Sequence, residues 1–128
     1  MKPHEEWLYK AGNDLDSAKY LLSSPKPLFD VAIYHTQQCA EKSLKAFLAY
    51  NAKEIDKIHN LKMLAENCMA IDETFNELID DCIYLNPYAT LYRYPEGDSM
   101  PSKAMVIEAI SVSEKIYNFV REKININF

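Results

Sequence analysis

Apolar residues recur at three- and four-residue steps in four separate stretches of this chain, and that spacing is the period of one α-helix face. It restricts the fold to an assembly of amphipathic helices. From Glu5 to about Ser23 the stripe is Trp7, Ala11, Leu15, Ala18 and Leu22; from about residue 28 to 50 it is Ile33, Ala40, Leu44, Phe47 and Leu48, with Gln37 in the same row. "SSPKPLFD" separates the two, because proline donates no backbone hydrogen bond and turns its predecessor away from helix. Asn60 is placed to cap a short helix from Leu61 to about Ala70, and Asp72 to cap a fourth helix carrying Phe75, Leu78, Ile79, Cys82 and Leu85. Asn86-Pro87 kinks or unwinds that helix. Pro101 suits the first turn of a last helix with the stripe Met105, Ala109, Val112, Ile116, Phe119 and Val120, and "KININF" reads as a frayed tail.

Burying four stripes at once through short links predicts an all-α fold, an up-and-down four-helix bundle with one additional short helix. The expectation is a single domain over residues 1–128, with its core at about 5–123. Glycine occurs only twice, at Gly12 and Gly97, so the turns of a many-stranded sheet are missing. A net charge of −5 argues against broad attraction to phosphate backbones or anionic membranes. No run of apolar residues resembles a signal peptide or a membrane span, which predicts a soluble, cytoplasmic protein. Cys39, Cys68 and Cys82 share no metal-binding or redox spacing and read as reduced core thiols.

Some polar residues fall on the wrong side of these helices. Asp14 lies two turns after Trp7, within or beside the first apolar stripe, and a carboxylate there needs a partner. Tyr34, Gln37, Gln38, Glu41 and Lys45 form a polar row along the edge of the second stripe. Two readings are open for this cluster: a hydrogen-bond network that fixes helix packing, built on Asp14, Gln37, Glu41 and Arg93, or a ligand pocket. The histidines, at positions 4, 35 and 59, show no metal-ligand spacing. His59 can cap or bond across to another helix, and His35 shares an edge with Gln38 and Lys42 that suits a solvated groove. Asp80 and Asp81 are neighbours on a helix and diverge by about 100°, so they form no acid/base pair. Phosphate-cradling glycine loops, G-x-S-x-G and H-E-x-x-H are absent from the sequence.

Together "WLYKAGNDLDSAKYLL", "VAIYHTQQCAEKSLKAFLAY", "IHNLKML" and "LNPYATLYRYP" resemble the HEPN domain family, the nucleotide-binding domain of higher eukaryotes and prokaryotes, from Trp7 to about Tyr117. Its most specific parts here are Gln37, Gln38, Glu41, Lys42, Lys45 and Ala46, and the tripeptide Arg93-Tyr94-Pro95. The resemblance implies a helical bundle, often a homodimer, with a binding cleft by the second helix and the end of the fourth. It also implies, for a stand-alone prokaryotic member, a nucleotidyltransferase partner in a toxin–antitoxin pair. Many such domains are ribonucleases in which a histidine follows an arginine by four to six residues. Here neither Arg93 nor Arg121 is followed by any histidine, so the imidazole for acid/base catalysis is missing from that motif.

The expectation is therefore a non-catalytic domain that binds a nucleotide, an RNA end or a partner nucleotidyltransferase and needs no cofactor or metal. Candidate ligand-binding residues are Arg93, Tyr94, Tyr92, Lys45, Gln38, Glu41, His35 and His59. Arg93 would hold phosphate, a tyrosine would stack on a base and Lys45 would add charge. The alternative role for Arg93 is a salt bridge to Asp14 or Glu41. Two other functions compete: a toxin ribonuclease with an atypical site built from His35 or His59 and Arg93, and a structural dimerisation or interaction module.

Overall fold

The computed structural model describes residues 1–55, 57–95 and 100–125. Its helices are α1 (Pro3–Ser23), α2 (Phe29–Tyr50), α3 (Leu61–Met69), α4 (Ile79–Leu85) and α5 (Lys103–Ile124), and no strand occurs among the described residues. The long helices α1, α2 and α5 pack on one another, and the segment from α3 to Ala89 closes the remaining side of an up-and-down bundle. The predicted stripes meet in its centre, where Ala11, Ile33, Leu44, Leu78 and Ile116 lose nearly all contact with water; Trp7, Leu22, Met105, Val112 and Phe119 are only partly buried, and the neighbouring Leu8 and Val106 are buried instead.

Helix ends follow local chemistry. Pro3 stands in the first turn of α1, where its missing N–H has no intrahelical acceptor to lose, so this helix starts two residues earlier than the stripe alone predicts. Asn60 caps α3 by accepting the Met63 N–H, as the sequence led us to expect. At α5 the cap is Ser102, whose Oγ accepts from the Met105 N–H at 3.2 Å. Pro101 is therefore a buried residue ahead of the cap and not part of the first turn.

Two expectations about regular structure are corrected. The fourth helix is not continuous: Glu73–Leu78 and Asn86–Ala89 are 3₁₀ segments on either side of the seven-residue α4. In a 3₁₀ helix residues three apart eclipse, and this sets Phe75 and Leu78 on one face, both fully buried. Phe75 packs with ring centroids 4.4 Å from Phe47 and 5.0 Å from Phe119, joining this segment to α2 and α5. Pro87, unable to donate, accounts for the second segment. The tail is also less frayed than expected, because Lys123 and Ile124 are helical, Ile124 is buried, and Asn125 closes α5 in the left-handed region at φ 53°. The rest of that tail lies outside the described residues.

Asp72 shows how a cap can also tie elements together. Its carboxylate accepts from Thr74 and pairs at 2.8 Å with Lys123 at the end of α5. The Lys123 bond, then those from Thr74, lower its pKa to about 2. A depressed carboxylate stabilises the fold above its unfolded value near 4 and ceases to do so as pH falls through about 2. We expect Asp72→Asn to flatten the dependence of melting temperature on pH between about 4 and 2, and an unchanged acid limb would remove this role.

Gly12 makes room for Tyr117 of α5, since a Cβ there would sit 2.9 Å from the Tyr117 hydroxyl oxygen. The cysteines are core residues. Burial pushes the Cys39 and Cys82 thiols up to about 12 and raises Cys68 too, so none supplies a thiolate near neutral pH. Among the described residues no helix is long and apolar enough to cross a membrane.

Candidate nucleotide site

The polar edge of α2 divides into three clusters, each fixed by helical spacing. Asp14 on α1 is buried and takes a bond on each carboxylate oxygen, His35 Nδ1 at 2.8 Å on Oδ1 and Lys42 Nζ at 2.7 Å on Oδ2. His35 and Lys42 are seven residues apart, two turns of one helix, and so reach the same carboxylate from one face. This satisfies the partner that Asp14 was expected to need.

The second cluster is deeper. Glu41 Oε2 accepts from Lys45 Nζ and from His59 Nδ1, each at 3.0 Å, and Gln37 Nε2 approaches Oε1 at 3.4 Å. Gln38 Nε2 donates to the side-chain Oε1 of Gln37 at 2.8 Å, and the Lys45 ammonium stands 5.4 Å from the centre of the Trp7 ring. The Glu41 and Lys45 side chains are each only 6% exposed, which makes this a buried ion pair. A hydrogen-bond network therefore forms, but Arg93 takes no part in it. Among the described residues Asp14 and Glu41 pair with His35, Lys42, Lys45 and His59, so the expected Arg93 salt bridge to either carboxylate is not made.

Arg93 is instead in the third cluster. The chain leaves Asn86–Ala89 in a tight turn in which the Leu91 N–H bonds to the Pro87 carbonyl and the Arg93 N–H to the Thr90 carbonyl. This turn lays the guanidinium 4.5 Å from the centre of the Tyr34 ring on α2, with Tyr94 at 5.9 Å. Tyr92 is braced by stacking on Tyr88, their ring centres 6.1 Å apart. Asp30, Val31, Tyr34, His35, Tyr92 and Arg93 then line an open pocket of about 280 Å³.

Of the predicted ligand residues, the structure brings Arg93, Tyr92 and His35 to this pocket and places Tyr94 beside Arg93. Lys45, Glu41, Gln38 and His59 are not among its lining residues. Lys45 lies eleven residues beyond Tyr34, about 16 Å along the axis, and is consumed by Glu41 and Trp7. Sequence reasoning missed Tyr34 as the platform for Arg93, and Asp30 and Val31 as pocket wall. The available signal was that Tyr34 stands one turn before Gln38 in the same polar row. Arg93 offers a planar, multiply donating cation, and the tyrosines offer faces for a base or for the cation itself. Among the described residues no group of three or more His, Cys, Asp or Glu side chains is arranged to hold a metal ion.

Comparison with known proteins bears on the family and the fold. A family model described as "HEPN domain" matches residues 4–123. An archaeal HEPN homologue of solved structure is 28% identical, with 97% of this chain and 99% of that one covered and a TM-score of 0.77. A protein from Thermus thermophilus is 24% identical over 96% of this chain and 99% of its own, with a TM-score of 0.84, which speaks for the fold alone. No curated protein matches.

Proposed function

The chain belongs to the HEPN domain family, a nucleotide-binding and ribonuclease-associated group, and from that premise we propose that it binds a nucleotide or an RNA end at the Arg93 pocket without cleaving it. The observation that carries this reading is the meeting of an exposed arginine with Tyr34, Tyr92 and His35 around one open pocket. Arg93 receives the phosphate, because a guanidinium forms paired, charge-assisted bonds to its oxygens. A tyrosine face receives the base. The absence of a histidine within reach after Arg93 in the sequence supports binding over turnover. A thermal-shift panel of mononucleotides and short RNAs on the purified protein tests this: at least one ligand raises the melting temperature, and a panel without effect removes the reading.

A second reading has one observation in its favour. His35 lines the same pocket as Arg93, so an imidazole is present even though the usual motif is not. Cleavage of RNA by the pure protein, abolished by Arg93→Ala and by His35→Asn, would establish a ribonuclease; intact RNA after long incubation leaves binding alone.

The proposal extends to assembly as a cytoplasmic homodimer working with a nucleotidyltransferase partner in a toxin–antitoxin pair. Val31 in the pocket wall and Tyr94 beside Arg93 are exposed at 38% and 63%, apolar surface that a partner protein can cover. Mass in solution and co-purification with a neighbouring nucleotidyltransferase decide it; a lone monomer speaks against both.

A further inference from the structure

We propose that His35 Nε2 accepts a hydrogen bond from a ribose hydroxyl, so that the pocket selects ribonucleotides over deoxyribonucleotides; this rests on Arg93 holding the phosphate. An ionised carboxylate can only accept, and the Asp14 oxygen 2.8 Å from His35 Nδ1 therefore requires that nitrogen to donate. In the imidazole tautomer with hydrogen on Nδ1, Nε2 is a bare acceptor. Lys42, 2.7 Å from the second oxygen of Asp14, matches the charge of that carboxylate and holds it in place. The ring is thus anchored through Nδ1, and since His35 helps to line the pocket, Nε2 is the acceptor it has left to offer a ligand there.

A bare acceptor chooses its ligand by chemistry. Phosphate oxygens are acceptors too and repel it, whereas the hydroxyls of the adjoining sugar can donate. A pocket of about 280 Å³ is at the small end for ligand sites, a scale that suits the sugar and phosphate of one nucleotide and not a length of chain. With the phosphate on Arg93, the donor nearest to hand for His35 is a ribose hydroxyl. The His35 side chain is 26% exposed, so an analogue without the hydroxyl forfeits one hydrogen bond while water can pair the nitrogen.

Calorimetric titration with AMP, 2′-deoxy-AMP and 3′-deoxy-AMP tests the inference. The wild type is expected to bind AMP about three- to tenfold more tightly than one of the two deoxy forms. His35→Asn keeps an N–H donor for Asp14 but lacks the far nitrogen, and it is expected to bind all three within about twofold of one another. Arg93→Ala is expected to weaken all three alike. Equal binding of the three by the wild type, or discrimination that survives in His35→Asn, overturns the role of His35 while leaving the Arg93 reading intact. If no nucleotide binds the wild type, both fail. Should His35→Asn not fold, the comparison of ligands on the wild type decides alone.

Discussion

Replacing Glu41 with alanine is expected to destabilise the protein by about 3–5 kcal/mol, the usual result of removing one partner from a buried ion pair. Lys45 would be left in the bundle with its side chain only 6% exposed and Trp7 as its sole remaining neighbour of the ones that now hold its charge. Gln37 and His59 would lose their acceptor in the same step. For a chain of this size the loss amounts to a fall in melting temperature of roughly 10–20 °C. The double variant Glu41→Ala, Lys45→Met removes both charges and is expected to recover most of it, because an apolar replacement of a buried pair is often neutral. Urea unfolding of the two variants measures this. A single variant within about 1 kcal/mol of the wild type, or a double variant worse than the single, would show that the pair is not what holds this region.

Arg93→Ala is expected to do the opposite, losing the ligand and keeping the fold. The residue is exposed and its observed side-chain contacts are the faces of Tyr34 and, farther off, Tyr94, each worth about 0.5–1 kcal/mol at most at such a site. Hydrogen bonds to charged groups contribute about 1.5–3 kcal/mol, so nucleotide affinity should fall by roughly ten- to a hundredfold. Arg93→Lys should lie between, retaining charge without the planar fork. Titration of both variants, with their melting curves unliganded, separates the two roles. Collapse of the fold in Arg93→Ala, with no nucleotide affecting the wild type, would make Arg93 a packing residue acting through Tyr34.

These two variants mark how far the polar residues could be read in advance. Asp14 announced a need for partners, and Glu41 and Gln37 announced a network, because carboxylates and amides on an apolar stripe cannot be left unsatisfied. Which groups would answer was not legible. Arg93, assigned to that network, has no bond in it, while Lys42 and His35 supply what Asp14 required. Tyr34 was visible only as one more member of a row until the turn after Asn86–Ala89 laid Arg93 across it.

The sequence by itself determined α1, α2, α3 and α5 and the side on which the long ones pack, because spacing of apolar residues and capping are local properties of a few consecutive side chains. It also carried the family resemblance that the comparison established. The tertiary structure alone decided the fourth helix, where burying Phe75 between Phe47 and Phe119 accompanies a 3₁₀ path in place of a continuous α-helix. It alone decided that Lys45 belongs to the core and Arg93 to the pocket. Charges choose partners by distance in space, and on α2 a difference of three turns separates a buried ion pair from a site open to a ligand.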